Sequence, residues 1–286
     1  MPVIVSLTTI PSRIDKIESV ILCLLNQSYQ ADKIILYIPR KLARLNQPYI
    51  IPNGLKRLSK SSNNFEIRQI EKDYGPATKI IPALKDFTAD DDIIITVDDD
   101  ILLEQHCLEE LIKAHRRFPE YVWGMMGIID GEFCHTEYLA PNGFTKAKVD
   151  TLGGYRGILY HRQFFQPDFF KMFSELEDIH RQKLKMPIIL CDDTLLNSYL
   201  DFKKIYKYVT ATQYFQKSPK TSKFPHKFHE HDWTFYSLDY GDRQGLNDDN
   251  NTQNTRVSSD LIKEYFKLLR IDNELTFINA LKNRNE

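Results

Sequence analysis

Asp92-Ile-Ile-Ile-Thr-Val-Asp-Asp-Asp-Ile101 is the stretch on which the fold turns. Its β-branched run, Ile93 to Val97, has the composition of a buried strand. The run stops at three consecutive carboxylates, Asp98, Asp99 and Asp100. A helical pattern follows, with Leu103, Cys107, Leu108, Leu111 and Ile112 on one face. In open α/β sheets, ligands bind beyond the carboxyl ends of the strands. The sequence therefore sets clustered negative charge where a ligand is expected. Like charges held together are costly unless a cation joins them. Carboxylate oxygens suit Mg²⁺ or Mn²⁺, and such ions neutralise phosphates. The competing reading is a solvated turn, because Asp is common in turns.

The 286 residues suffice for one large α/β domain, or for one domain and a small appendage. The 42% hydrophobic and 27% charged fractions are those of an ordinary globular chain. A net charge of -1 gives no global field that would select nucleic acid. No apolar run is long enough to span a bilayer, and MPVIVSLTTIPSR lacks the pattern of a signal peptide. Cys23, Cys107, Cys134 and Cys191 are widely spaced, so reduced thiols in a cytoplasmic protein are expected.

Working outward, Val3–Thr8 reads as a strand. Ser12 to Asp15 resembles a capping box, opening a helix with Ile14, Ile17, Val20, Ile21, Leu24 and Leu25 at a 3.6 period. Residues 33–38 form a second strand and 65–70 a third. Residues 39–64 are mostly loop with at most a short helix. Asp73-Tyr-Gly-Pro76 is a turn before a helix over 78–87. This order predicts a mostly parallel sheet with helical crossovers. The second half is less regular: strands over 121–129, 158–160, 188–191 and 205–209, and helices around Phe169–Leu176 and Asp192–Leu200. Residues 241–256 read as loop and 261–281 as one or two docked helices.

Asp192-Asp193 is a second acidic site at a strand end. The dipole of the helix it opens stabilises a carboxylate by roughly 0.3–1 kcal/mol. Capping alone accounts for one such acid; two adjacent acids exceed that need. A transfer reaction needs a charge-neutralising site for the leaving group and, separately, a base for the acceptor hydroxyl. Gly153-Gly154-Tyr-Arg-Gly157 permits close backbone approach, although it is neither a P-loop nor a dinucleotide fingerprint; otherwise it is a glycine turn feeding a strand. Arg13 and Lys79 sit in loops within reach of a phosphate, or are simply solvated. His226, His229 and His231 fall in a basic loop, where one His completes a metal shell or all three are exposed. Lys217, Lys220, Lys223 and Lys227 suit a lid over phosphates or contact with an anionic membrane surface.

Taken in order, these segments resemble the nucleotide-sugar-dependent glycosyltransferases of GT-A fold, near the bacterial family-2-like enzymes of capsule and lipopolysaccharide synthesis. Val5-Ser-Leu-Thr-Thr-Ile-Pro-Ser-Arg13 is similar to their first strand and nucleotide-side loop, Asp32 to Ile38 to their second strand, and Asp73 to Leu84 to the segment before the metal strand. Ile95 to Ile101 resembles the Asp-X-Asp motif, Cys191-Asp-Asp193 the pair that supplies the base, and Leu246 to Asn251 a late Asn/Asp-rich segment. The resemblance implies a Rossmann-like, mostly parallel sheet flanked by helices, with an irregular acceptor-side half. Residues 1–255 would form one domain (1–101 on the nucleotide-sugar side, 102–255 on the acceptor side), and 256–286 a helical tail. It further implies an inverting hexosyltransferase using Mn²⁺ or Mg²⁺ and a nucleotide-sugar, with a UDP-sugar expected. The acceptor would be a glycan or lipid-linked hydroxyl, at the cytoplasmic side or inner membrane face. Asp98, Asp100 and His226 would hold the metal. Thr8, Arg13, Lys79, Asp98 and Gly154 would face the nucleotide. Asp193 would be the base, with Asp192 as the alternative. Two other readings remain: a sugar-phosphate nucleotidyltransferase, disfavoured by the absence of glycine from Thr8-Thr-Ile-Pro-Ser-Arg13, and a non-catalytic carbohydrate-binding protein.

Overall fold

The computed structural model describes residues 1–135, 145–186, 188–211, 235–237 and 249–271. Along the chain come β1 (Val3–Thr8), α1 (Glu18–Leu25), β2 (Lys33–Pro39), a small hairpin of β3 (Lys41–Leu42) and β4 (Gln47–Pro48), α2 (Asn53–Ser61) and β5 (Phe65–Ile70). A 3₁₀ turn, Gly75–Lys79, leads into α3 (Ile81–Asp86), then β6 (Ile93–Thr96), β7 (Ile101–Leu103) and α4 (Cys107–Arg117). The second half holds β8 (Val122–Gly124), β9 (Met126–Ile129), β10 (Glu132–His135), β11 (Thr145–Lys148), β12 (Thr151–Leu152), β13 (Ile158–His161), α5 (Pro167–Ile179), α6 (Asp192–Phe202), β14 (Lys207–Ala211), β15 (Phe235–Ser237) and α7 (Asp249–Ile271).

Eight strands form the central sheet in the order β11-β14-β8-β13-β6-β1-β2-β5. Only β13 and β11 run against the other six, so the sheet is mostly parallel as expected. Its central strands are apolar on both faces, which is what a sheet covered by helices on both sides requires. Alternate residues divide between two cores: Val3, Val5, Ile93 and Ile95 pack with α1 and α4, whereas Ile4, Ile35 and Ile94 pack with α3, α5, α6 and α7. No described helix is long and apolar enough to cross a membrane. Cys23, Cys107 and Cys191 are free thiols.

Several local expectations are corrected. The first helix begins at Glu18, beyond the Ser12–Asp15 box, because residues 10–16 form turns bonded through Arg13 N–Ile10 O (2.9 Å) and Lys16 N–Arg13 O (2.8 Å). The helix expected over 78–87 is split, with Pro82 in the first turn of α3, where its missing N–H costs nothing. The strand expected over 121–129 breaks at Met125 into β8 and β9, which lie in different sheets. A Cβ on Gly124 would lie 2.7 Å from a Leu152 methyl, so the two layers meet where a side chain is missing. Residues 188–191 are not a strand; the Leu190 N–H donates to the Ser258 hydroxyl (3.3 Å) instead of to a ladder. Residues 249–256, read as loop, are the first turns of α7, which runs on through the boundary expected at 255.

Candidate active site

The charged groups gather where β1 and β6 end. Residue 97 leaves β6 and the chain turns at once into Asp98–Asp100. Since β13 runs antiparallel with Ile158 opposite Thr96, the Gly154 turn that precedes it arrives at the same edge. The N-terminus of α6 brings Asp192 and Asp193 to that edge too. Thr8, Arg13, Lys79, Asp98, Asp100, Asp192 and Asp193 all line one cavity of about 490 Å³. These residues span 186 positions of sequence (193 − 8 = 185 steps), and the fold brings them together.

Lys79 is the hub. Its ammonium donates to Asp98 Oδ1 at 2.6 Å and lies 3.0 Å from Asp192 Oδ2. Its own carbonyl accepts from the Ser6 hydroxyl at 2.5 Å, tying the 3₁₀ turn to β1. Burial alone would depress this amine, but Asp192, Asp98 and Asp193 together hold its pKa well above the usual value. Arg13 serves the other two acids, with Nη1 3.0 Å from both Asp99 Oδ1 and Asp100 Oδ2. Thr9 donates to Asp99 Oδ2 at 2.6 Å. Asp99, for which the sequence suggested no role, thus fixes the first loop against the acidic turn. Burial raises its pKa, opposed by Arg13 and Thr9. Burial and the adjacent Asp98 and Asp99 push Asp100 up to about 6 against the pull of Arg13.

Asp193 differs from these. Its Oδ2 accepts the Gly154 N–H at 3.1 Å, while its Oδ1 is enclosed with no hydrogen-bond partner. Burial and Asp192 raise its pKa to about 7, with Lys79 acting in the opposite sense. Gly154 is required here: a Cβ would lie 2.6 Å from Asp193 Oδ1 and 3.2 Å from Lys79 Nζ. The close approach expected of this glycine turn is to the acid of α6. Asn197, one turn along, accepts from Leu152 N (2.8 Å) and donates to Leu152 O (2.9 Å), fixing α6 against β12.

Other expected roles change or fall elsewhere. The Thr8 hydroxyl donates to Tyr37 O at 2.9 Å, so it is engaged within the sheet although Thr8 still borders the cavity. His226, His229, His231, the lysines at 217, 220, 223 and 227, and residues 246–248 lie outside the described residues. The sequence reading missed Thr9, Arg44, Tyr49, Asp73 and Thr255, all of which line the cavity. Tyr49 donates to Thr9 O (2.9 Å), and Asp73 accepts from Ala43 N and Gly75 N (2.7 Å each), so these two shape the walls. The left-handed Gly75 (φ 62°) is the one signal the sequence offered, in its Asp-Tyr-Gly-Pro turn.

Among the described residues no three His, Cys, Asp or Glu side chains are arranged as a metal cage. The donor chemistry nevertheless fits a hard cation. Six aspartates line the cavity with three cationic side chains, Arg13, Arg44 and Lys79, and burial together with the neighbouring acids raises Asp100 and Asp193. Mg²⁺ is commonly held by one or two carboxylates together with substrate phosphates, with no all-protein cage. Asp98 and Asp100 both line the cavity, the first bonded to Lys79 and the second to Arg13.

No family model and no curated protein matches the chain. Among solved structures it is similar to S. aureus TarS 1-349 in complex with UDP-GlcNAc, at 13% identity and a TM-score of 0.48, over 74% of this chain and 56% of that one. It is also similar to S. aureus TarS 1-349 in complex with UDP, at 16% identity and a TM-score of 0.41, over 62% of this chain and 55% of that one. The chain thus spans little more than half the length of the structures it matches. At such identity and TM-score the likeness assigns neither substrate nor chemistry.

Proposed function

We propose that the protein is an inverting glycosyltransferase that moves a sugar from a nucleotide-sugar, with UDP-sugars the first to test, to a hydroxyl of a glycan or lipid-linked acceptor. The observation that carries this is Asp193: a carboxylate at the cavity wall, one oxygen without a partner, with its pKa raised to about 7. A base is most effective when its pKa lies near the working pH. In the proposed step Asp193 takes the acceptor's hydroxyl proton as that oxygen bonds to the anomeric carbon. The anomeric carbon–phosphate oxygen bond breaks on the opposite face, and its electron pair leaves with the nucleoside diphosphate. Arg13 and Lys79 would face that anion, and cationic groups preorganised at developing charge are a large source of rate. Asp98 and Asp100 would hold Mn²⁺ or Mg²⁺. Such an ion, when bound, supplies Lewis-acid stabilisation of the leaving phosphate.

The reading is tested with a panel of nucleotide-sugars and Mn²⁺, with and without glycan or lipid-linked acceptors. Acceptor-dependent release of nucleoside diphosphate supports it. Release of pyrophosphate from a sugar phosphate and a nucleoside triphosphate would instead identify a nucleotidyltransferase. Binding of sugar with no turnover would identify a carbohydrate-binding protein.

A further inference from the structure

The sequence divides α7 between a loop (241–256) and docked helices (261–281), yet two of its consecutive residues grip both flanks of the acidic pair. Ser258 is fully buried. Its hydroxyl oxygen accepts the Leu190 N–H at 3.3 Å, two residues before Asp192. The same hydroxyl lies 2.9 Å from His180 Nε2. The other ring nitrogen, His180 Nδ1, lies 2.7 Å from the Leu176 carbonyl, which can only accept. Nδ1 therefore carries the proton, and in the neutral ring Nε2 accepts from Ser258. Burial favours that neutral ring and depresses the His180 pKa. The result is one directed chain: Leu190 N–H to Ser258, Ser258 O–H to His180, His180 N–H to Leu176. On the other flank, Ser259 Oγ lies 3.0 Å from Thr194 Oγ1, which lies 2.8 Å from Cys191 Sγ. Leu190 and Cys191 precede the acids and Thr194 follows them. Residues 188–191 have no strand neighbour among the described residues, so these side-chain contacts take the place of a ladder. Thr255, one turn earlier in α7, borders the cavity itself.

We propose that Ser258 and Ser259 of α7 are positioning residues that set where the Asp192–Asp193 carboxylates stand. Neither serine touches the reacting atoms; each acts through the backbone or side chain of a residue flanking the pair. The kinetic form of the proposal rests on the reading of Asp193 as the base. Its structural form does not. Small displacements of a catalytic group lower the rate more than they lower substrate binding.

The test compares Ser258→Ala, Ser259→Ala and the double variant with the wild type, using transfer kinetics across pH, calorimetric nucleotide binding, and ¹³C NMR titration of the Asp193 carboxyl. Ser258→Ala is expected to lower kcat roughly tenfold while donor KM and nucleotide affinity stay within about twofold. The acidic limb of its kcat–pH profile and the Asp193 titration midpoint move together. Ser258→Cys, which keeps a weak donor of similar size, recovers part of the loss. His180→Gln is the second route to the same chain should Ser258→Ala not fold. Folded variants with wild-type kcat, pH profile and Asp193 midpoint would overturn the proposal, as would a rate loss matched by an equal loss of nucleotide affinity. A wild-type protein that transfers no sugar overturns the functional reading instead. The Asp193 midpoint then decides the positioning role alone: a shift supports it, and none removes it.

Discussion

The two ends of β6 bury titratable groups in opposite ways. At the carboxyl end, six aspartates converge with Arg13, Arg44 and Lys79 around a cavity. At the amino end, His161 of β13 stands opposite Ile93, its ring 5.1 Å from that of His115 on α4. Neither His115 Nδ1 nor His161 Nδ1 has a hydrogen-bond partner, and burial depresses both pKa values, His115 to about 4. One end keeps its charges by pairing them; the other gives its charge up. Burial is common to both and so does not mark a site. The marks are opposite charges meeting at a cavity and one carboxylate oxygen left over.

Asp193→Asn attacks that leftover oxygen and carries the largest expected effect. Removing a general base costs about 10²–10⁴-fold in rate, and kcat should fall in that range while nucleotide binding persists. The wild-type kcat should itself decline as pH falls below about 7, where Asp193 takes up a proton. The stability sign is opposite. A carboxyl whose folded pKa is raised from 3.8 to about 7 loses stability as pH rises through that window. Asp193→Asn should therefore melt at a higher temperature than the wild type at pH 8. Full activity in Asp193→Asn would remove the contrast between the paired and unpaired acids. Asp100→Asn comes next: Mn²⁺-supported nucleotide binding, read by calorimetry, should weaken on the order of 10²-fold, and unchanged binding would sink the metal assignment.

Much of the carboxyl end was legible in the sequence because its evidence is local. Strands rich in Ile and Val reveal themselves by composition, and acids directly after a strand or at a helix start declare their place. What was hidden depends on distant partners. Asp99 gained its role only from Arg13 and Thr9, some 90 residues earlier (99 − 9 = 90). Residues 188–191 have strand composition, but the Leu190 N–H finds its partner in Ser258 of α7. The Asn/Asp-rich start of α7 has loop composition; packing of Ile262, Tyr265 and Phe266 against α6 makes it helical. Tertiary burial there outweighs local propensity.

Gly154→Ala sharpens the same contrast from the backbone side. The added methyl would fall 2.6 Å from Asp193 Oδ1, a distance at which the acid or the turn must shift. Lys79 Nζ, 3.2 Å from that methyl, can give by a few tenths of an ångström, and Asp99 and Asp100 are held by Arg13 away from it. The expected result is a roughly 30-fold loss of kcat with metal-supported nucleotide binding retained. Equal losses in both would mean that the two acidic clusters move as one body.

The smallest expected effect tests the amino end. His115 has a folded pKa of about 4 against an ordinary 6.5, so the unfolded chain binds the extra proton between those values. Its contribution is complete above pH 6.5 and is lost as pH falls toward 4. Between pH 7 and pH 5 that loss amounts to about 2 kcal/mol, with His161 adding in the same direction. The charged neighbours facing the pair are Arg116 and Glu120 for His115, and Asp90 and Asp91 for His161. His115→Phe keeps a ring of comparable shape and removes the titration. Its larger ring adds a packing cost that does not vary with pH, so the diagnostic is the slope. Urea unfolding should show stability that depends less on pH between 5 and 7 in the variant than in the wild type. An unchanged slope would mean that His115 can hold its proton in the folded state, and the two ends of β6 would then no longer differ in how they treat buried charge.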